Sequence, residues 1–361
     1  MSRQIGAALV GALKSAIPSI VALLLGLAAS SILMLAFRLN PLEVFGSVFV
    51  GALGTTSGQS LVLTYLASYI LLALAFIVPG KAGIWNVGGQ GQAILGGISA
   101  ALVIEFVPLP PILWPLAAVL VACVVGAVWA SISGMLEAYR NASAIVTTIM
   151  MNFVAQAFAS FLLLYVVAIK SRTVSEYNYV VFPPAATLPT FPFYNTSIMF
   201  IVAILVAIGT AFFLSRTALG YNIRATGLGA RPAESKGINP RTTKVIAMLL
   251  GGALGGLAGA GDVLSVGRGC LFVACYQEGF AGGWFGGEGF AGIAVALVAA
   301  NSALGSVFSA VFFAILASGT AAVFQNVYVV WATQGIIILF MAAPYLSRRI
   351  LNAGWRKKQW T

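Results

Sequence analysis

The sequence predicts an all-α, polytopic membrane protein of about ten transmembrane helices that carries an inverted-topology repeat. Three observations predict it. Of 361 residues, 60% are apolar and only 7% charged, with a mean hydropathy of +1.01. A soluble domain carries about 25% charged residues, so this chain cannot cover a water-facing surface. Apolar runs near the length of about 20 residues that crosses a bilayer recur along it. Finally, one glycine-rich motif occurs twice, each time at the head of an apolar run.

Taken in order, the runs bounded by Pro, Gly or charge are Ala16–Ala36, Leu61–Val78, Ala93–Val107, Leu113–Leu136, Ala144–Val167, Thr196–Leu214, Lys244–Leu264, Phe290–Ala300, Leu304–Phe324 and Val329–Tyr345. The third and eighth are short. The first is long and lacks a small-residue cleavage site, so it reads as a retained span rather than a signal peptide. Between the first two, Leu42, Phe45 and Phe49 share one face of Pro41–Leu53, the pattern of a short helix lying in the outer interface. The segment Lys170–Asn195, rich in proline and aromatics, forms an outer cap, either a partner contact or a plain connector.

Charge orients the chain. With the N-terminus inside, the inner segments collect Arg3, Lys14, Lys81, Arg140, Arg216, Arg224, Arg231, Lys236, Arg241, Lys244, Arg348, Arg349, Arg356, Lys357 and Lys358, which is 15 of 19 basic residues, and only Arg38, Lys170, Arg172 and Arg268 fall outside. This bias places both termini in the cytoplasm. The net charge of +11 is therefore an orientation signal, and no nucleic-acid partner is expected.

Catalysis is poorly supplied. There is no histidine and a single aspartate, Asp262, among eight acids, so histidine-based acid–base chemistry, histidine metal sites and Ser-His-Asp triads are excluded for this chain alone. No Gly-x-x-x-x-Gly-Lys-Ser/Thr loop is present, so the chain is expected to bind no ATP, metal or other cofactor. Cys123 lies mid-span as packing; Cys270 and Cys275 share an outer segment, a spacing that allows a disulfide without specifying one.

The repeat carries the functional signal. Gly88-Gly89-Gln90-Gly91-Gln92-Ala93 recurs 198 residues later (286 minus 88) as Gly286-Gly287-Glu288-Gly289-Phe290-Ala291, opening the third and eighth spans. Five spans separate the copies, so they enter from opposite faces of the membrane, the mark of an inverted repeat whose broken segments meet near the midplane. Gly88, Gly89, Gly91, Gly286, Gly287 and Gly289 permit backbone to leave helical geometry at depth. Asn86, Gln90, Gln92 and Glu288, next to Trp85, Trp284 and Phe290, suit a neutral polar ring through hydrogen bonds and stacking. The same amides equally suit freed backbone groups, and both roles can coexist.

The inner segment 216–244, within a single transmembrane domain 1–361, holds Arg231-Pro232-Ala233-Glu234-Ser235-Lys236-Gly237, with proline in a first helical turn and glycine at a C-cap. It reads as a short cytoplasmic helix that offers a partner surface; a solvated loop accounts for its charge but not for its caps.

In order along the chain, Trp85-Asn86-Val87-Gly88-Gly89-Gln90-Gly91-Gln92, Ile145-Val146-Thr147-Thr148-Ile149-Met150-Met151-Asn152, Arg216-Thr217-Ala218-Leu219-Gly220, Lys236-Gly237-Ile238-Asn239 and Gly292-Ile293-Ala294-Val295-Ala296-Leu297 resemble the permease subunits of ABC importers. The likeness covers roughly residues 60 to 345 and is nearest to the nucleoside and simple-sugar branch, related to branched-chain amino acid permeases. The resemblance implies an inner-membrane permease working with a second permease subunit, identical or paralogous, a cytoplasmic ATPase that holds the ATP and magnesium, and an external substrate-binding lipoprotein. It implies a repeat relating spans two to five with seven to ten. The residues read as a substrate path are Trp85, Asn86, Gln90, Gln92, Asn152, Glu288 and Phe290; the resemblance implies a coupling segment around Ala225–Gly237, with Arg224, Arg231, Ala233, Glu234, Lys236 and Gly237. Two departures leave the cargo open among nucleoside, nucleobase and sugar: Gln90 stands where that branch usually has glutamate, and Ala291 where it has aspartate. The alternative is a stand-alone secondary transporter, which needs membrane carboxylates for a coupling ion and finds only Asp262 and Glu288.

Overall fold

A computed structural model describes residues 21, 23–162, 186–191, 196–265, 287–320 and six isolated positions between 332 and 340. Among these residues the protein is helical apart from one hairpin, Thr190–Phe191 paired antiparallel with Thr196–Ser197. The helices are α1 (Leu23–Ala36), α2 (Pro41–Leu53), α3 (Thr56–Lys81), α4 (Gly89–Phe106), α5 (Trp114–Arg140), α6 (Ala144–Leu162), α7 (Met199–Arg216), α8 (Ala218–Leu228), α9 (Ala230–Glu234), α10 (Pro240–Leu264), α11 (Glu288–Val298) and α12 (Gly305–Thr320).

Five described helices, α3, α5, α6, α7 and α10, are long and apolar enough to cross a bilayer, and α1 with α2 makes a sixth if this pair, bent by 114°, is one span. The chain is a multi-pass, all-α membrane protein. Most of the predicted span Val329–Tyr345, most of the outer cap, Trp284, Gly286, Cys270 and Cys275 lie outside the described residues. Cys123 sits partly buried in α5.

Local chemistry sets the helix ends. Asn40 accepts the Leu42 N–H at 3.1 Å, and Pro41 opens α2 with a preset φ and no orphan donor. The α2 face made by Val44, Val48 and Ala52 is buried and packs on α12, leaving Leu42 and Phe49 exposed on the other side. Thr55 caps α3 by accepting the Gly58 N–H at 3.0 Å.

The core is α3. Every residue from Leu66 to Pro79 is buried, and 78% of its most apolar stretch is enclosed against 17% for α5. A helix apolar all round belongs at the centre of a bundle, whereas α5, α6 and α7 leave most of their apolar stretches unenclosed. α10 is held by backbone proximity. A Cβ on its Gly256 would strike the carbonyl of Ala122 in α5, one on Gly259 the carbonyl of Ala93 in α4, and one on Gly96 of α4 would lie 2.5 Å from Gly256 Cα. Lipid gives helices no hydrophobic reason to associate, so close van der Waals contact along such small-residue ridges supplies the adhesion.

The packing is reciprocal. α3 lies against α11 and α12, while α10 lies against α4 and α5. In each predicted half, the leading helix thus packs on the second and third helices of the other half.

Candidate functional site

After α3 the chain reverses through Ala82–Gly88 and re-enters as α4. Gly83, at φ +83°, makes the turn possible, and the N–H groups of Ala82 and Ile84 both donate to the Pro79 carbonyl, at 2.9 and 3.1 Å. Gly89 lies against Leu72, nine residues before Lys81 and so roughly 14 Å back along α3. The first glycine segment therefore sits well inside the bundle, where unpaired backbone groups cost free energy.

Amide side chains satisfy those groups. Asn86 accepts the Gly88 N–H at 3.1 Å and donates to the Ala75 carbonyl at 3.0 Å. It also exchanges two amide bonds with Gln92, at 3.2 and 2.9 Å. From α6, Thr148 accepts the Val87 N–H at 3.2 Å. Asn152, one turn on along the same face, accepts the Gly91 N–H at 2.8 Å and donates to the Val87 carbonyl at 3.0 Å. Asn86, Gln92, Thr148 and Asn152 are all buried; these hydrogen bonds account for them as the frame of the turn.

The second segment starts at Gly287, whose φ of +113° is open to glycine and strained for any other residue. It launches α11 directly against the first segment. The Gly289 N–H donates to Gln90 Oε1 at 2.7 Å. A Cβ on Gly289 would lie 2.5 Å from the Gln90 nitrogen, and one on Gly292 would lie 2.5 Å from Leu72 Cβ. The opening turns of α4 and α11, from the two copies of the motif, thus touch without an intervening side chain. Glu288 is buried in the first turn of α11, where the helix dipole favours a carboxylate. Trp85 stacks edge to face on Phe76 at 5.7 Å. Trp85 is 48% exposed and Phe290 42%, and each neighbours a bonded member of the junction in sequence, Asn86 and Gly289.

A second polar cluster lies toward the opposite end of α3 from Lys81. Ser68 donates to Asp262 Oδ1 at 2.5 Å, and the hydroxyls of Ser60 and Thr196 share a 2.5 Å hydrogen bond. Thr64, Ser68, Ser197, Ser265 and Asp262 surround a cavity of about 10 Å³, the room of one water. Hydroxyls spaced four apart on α3 were the available sequence signal, but their partners lie 136 and 194 residues away.

Within the segment 216–244, two helices lie between α7 and the start of α10. α8, which the caps at Arg231–Gly237 did not announce, begins where Thr217 accepts the Gly220 N–H at 3.0 Å. It docks on the end of α3: a Cβ on Gly227 would collide with the Lys81 carbonyl and lie 3.2 Å from the Gly83 nitrogen. Ile223 and Thr226 are buried beneath it. α9 is the expected short helix and ends as expected. Gly237, at φ +78°, donates to the Glu234 carbonyl and Ile238 to that of Ala233, at 2.9 and 3.1 Å, the Schellman pair of bonds. Ala233 is buried; Arg224, Arg231, Glu234, Lys236 and Gly237 are exposed. An ion pair of 2.9 Å between Lys244 and Glu137 ties α10 to α5 at this end.

The family model described as "Branched-chain amino acid transport system / permease component" matches residues 58–342. A nucleoside ABC transporter permease protein of Lactococcus lactis subsp. cremoris is 29% identical over 92% of this chain and 92% of its own. A glucose ABC transporter permease protein of Haloferax volcanii is 30% identical over 91% and 88%, and a guanosine ABC transporter permease protein of Bacillus subtilis 28% identical over 92% and 94%. No solved structure matches. The matched region runs from the first residues of α3 past α12 and takes in both glycine segments and the docked α8–α9 pair, and the chain belongs to this family of ABC transport permease components.

Proposed function

We propose that this permease forms the membrane path of an ATP-driven importer for a nucleoside or a simple sugar. The observation that carries the mechanism is the 2.7 Å bond from Gly289 to Gln90, which joins the two glycine segments inside the bundle while α8 sits on the turn leading into one of them. The reciprocal packing of α3 and α10 supports an inverted repeat relating spans two to five with seven to ten. In such repeats, broken helices line the path and one half rocks against the other.

The basic residues support a cytoplasmic placement of the Lys81 end. Lys81, Arg140, Arg216, Arg224, Arg231, Lys236, Arg241 and Lys244 gather there, whereas Arg38 is the described basic residue at the other end. On that side α8 and α9 present Tyr221, 54% exposed, and Leu228, 92% exposed, among Arg224, Arg231, Glu234 and Lys236. A mixed apolar and charged surface of this kind suits an ATPase subunit, which holds the ATP and magnesium because this chain has no phosphate loop.

Motion of that subunit passes from Gly227 to Lys81 and Gly83, and through the Asn86 and Asn152 hydrogen bonds to α4. The Gln90–Gly289 contact then opens or closes, with the half-exposed Trp85 and Phe290 available to stack on the cargo ring and Asn86, Gln92, Asn152 and Glu288 close behind. A second permease subunit completes the path and an external binding lipoprotein loads it. The cargo class rests on relatives named for nucleosides, guanosine and glucose, which share a ring bearing hydroxyl groups.

Reconstitution of the permease with an ATPase subunit and a binding protein tests the reading. ATP-dependent uptake of labelled nucleosides or sugars, competed by the unlabelled compound, is the expected result. Uptake of neither class overturns the cargo assignment, and uptake without ATP overturns the energy source.

A further inference from the structure

The basic end of the molecule also bears an apolar cleft outside the proposed path. Val78 of α3, Val206, Gly209 and Phe213 of α7, and Leu250 and Leu254 of α10 line an open groove of about 340 Å³. From Val206 to Phe213 it runs seven residues, about 10 Å along α7, or most of the ~15 Å depth of one hydrocarbon leaflet. Gly209 borders its open space, since a Cβ there would meet nothing within 4 Å.

Its mouth is cationic. Lys81 lies three residues beyond Val78 and Arg216 three beyond Phe213, each one turn further along its helix on a neighbouring face. Arg224 of α8 stands close enough to Lys81 for their charges to repel. None of the three has an acidic partner among the described residues, where the ion pair formed is Lys244 with Glu137. Charge of one sign above a narrow hydrocarbon slot complements a molecule with an anionic head and an apolar tail.

We propose that this cleft binds one anionic phospholipid, with an acyl chain along α7 and its phosphate among Lys81, Arg216 and Arg224. The assignment to the cytoplasmic leaflet rests on the orientation proposed above. The bound lipid braces α7 and α8 against the end of α3, the joint through which Gly227 meets Lys81. It therefore links lipid composition to the strength of coupling.

A phosphatidylglycerol with a photoreactive group in its acyl chain, incorporated with the full chain into phosphatidylcholine vesicles, tests the proposal. Cross-links are expected at Val206–Phe213 and Leu250–Leu254. G209F or the smaller G209L fills the groove and reduces them to the level seen on the lipid-facing side of α5. R216Q/R224Q lowers preference for the anionic probe by about thirtyfold. Undiminished labelling in both Gly209 variants overturns the proposal, as does equal competition by phosphatidylcholine, which marks an ordinary boundary lipid. Groove residues cross-linked to a second permease copy instead of lipid overturn it too. The readout needs neither ATP nor cargo, so failure of transport and failure of lipid binding are separately visible.

Discussion

Gln90 and Gly289, 199 residues apart, share a 2.7 Å hydrogen bond in which the side-chain oxygen of one accepts the backbone N–H of the other. The first turns of α4 and α11 are thereby clasped together, and no side chain on Gly289 is compatible with their spacing, because its Cβ would stand 2.5 Å from the Gln90 nitrogen. The contact is specific in chemistry and intolerant in shape, the combination expected of a joint that must close to one geometry.

Breaking this joint tests its role. Q90L removes the acceptor and should lower ATP-dependent uptake about tenfold, the worth of one buried hydrogen bond, with insertion unchanged. Q90E keeps an acceptor at that site and should retain more activity, and G289V should lose the most. Wild-type uptake in Q90L and G289V together would show that the junction is a passive contact.

Asn152 is predicted to be chiefly a stability residue. N152A strands the Gly91 N–H and the Val87 carbonyl, two buried groups at about 1–3 kcal/mol each. Unfolding followed by intrinsic fluorescence should shift to lower temperature, and N152D, which still accepts from Gly91, should shift less. A variant with unchanged stability but altered cargo affinity would move Asn152 from the frame into the path.

Coupling should fail at Gly227. G227V forces α8 off the end of α3, so cargo-stimulated ATP hydrolysis should be lost while the permease still inserts. Replacing Glu234 and Lys236 by alanine should likewise uncouple transport. For that pair, normal co-purification of the ATPase with normal cargo-stimulated hydrolysis would count against α9 as a contact.

The energy source separates importer from secondary transporter. Uptake should disappear without the ATPase. Gradient-driven uptake in an ATPase-deficient strain, abolished by D262N/E288Q, would instead identify those two membrane acids as a coupling-ion site.

Some of this molecule is written in local sequence. The membrane class followed from composition, the start of α6 at Ala144 from a bounded apolar run and the bounds of α2 from its apolar face, and Gly237 announced a helix end that the structure closes with two Schellman bonds. These are properties of neighbouring residues, and hydropathy and caps report them directly. Helix α8 was obscured because its stretch, Ala218–Leu228, carries two glycines and little apolar contrast, and only docking of Gly227 on Lys81 shows its place.

The two glycine motifs were visible in the sequence by themselves, as were their amides; what those amides bond to was not. Asn86 meets Gln92 six residues away, Asn152 meets Gly91 across 61 residues and Gln90 meets Gly289 across 199. A polar side chain in a membrane must find a partner, and sequence establishes that requirement. Which partner it finds depends on how α3 and α10 bring distant backbones into contact, and that is decided only when the helices pack.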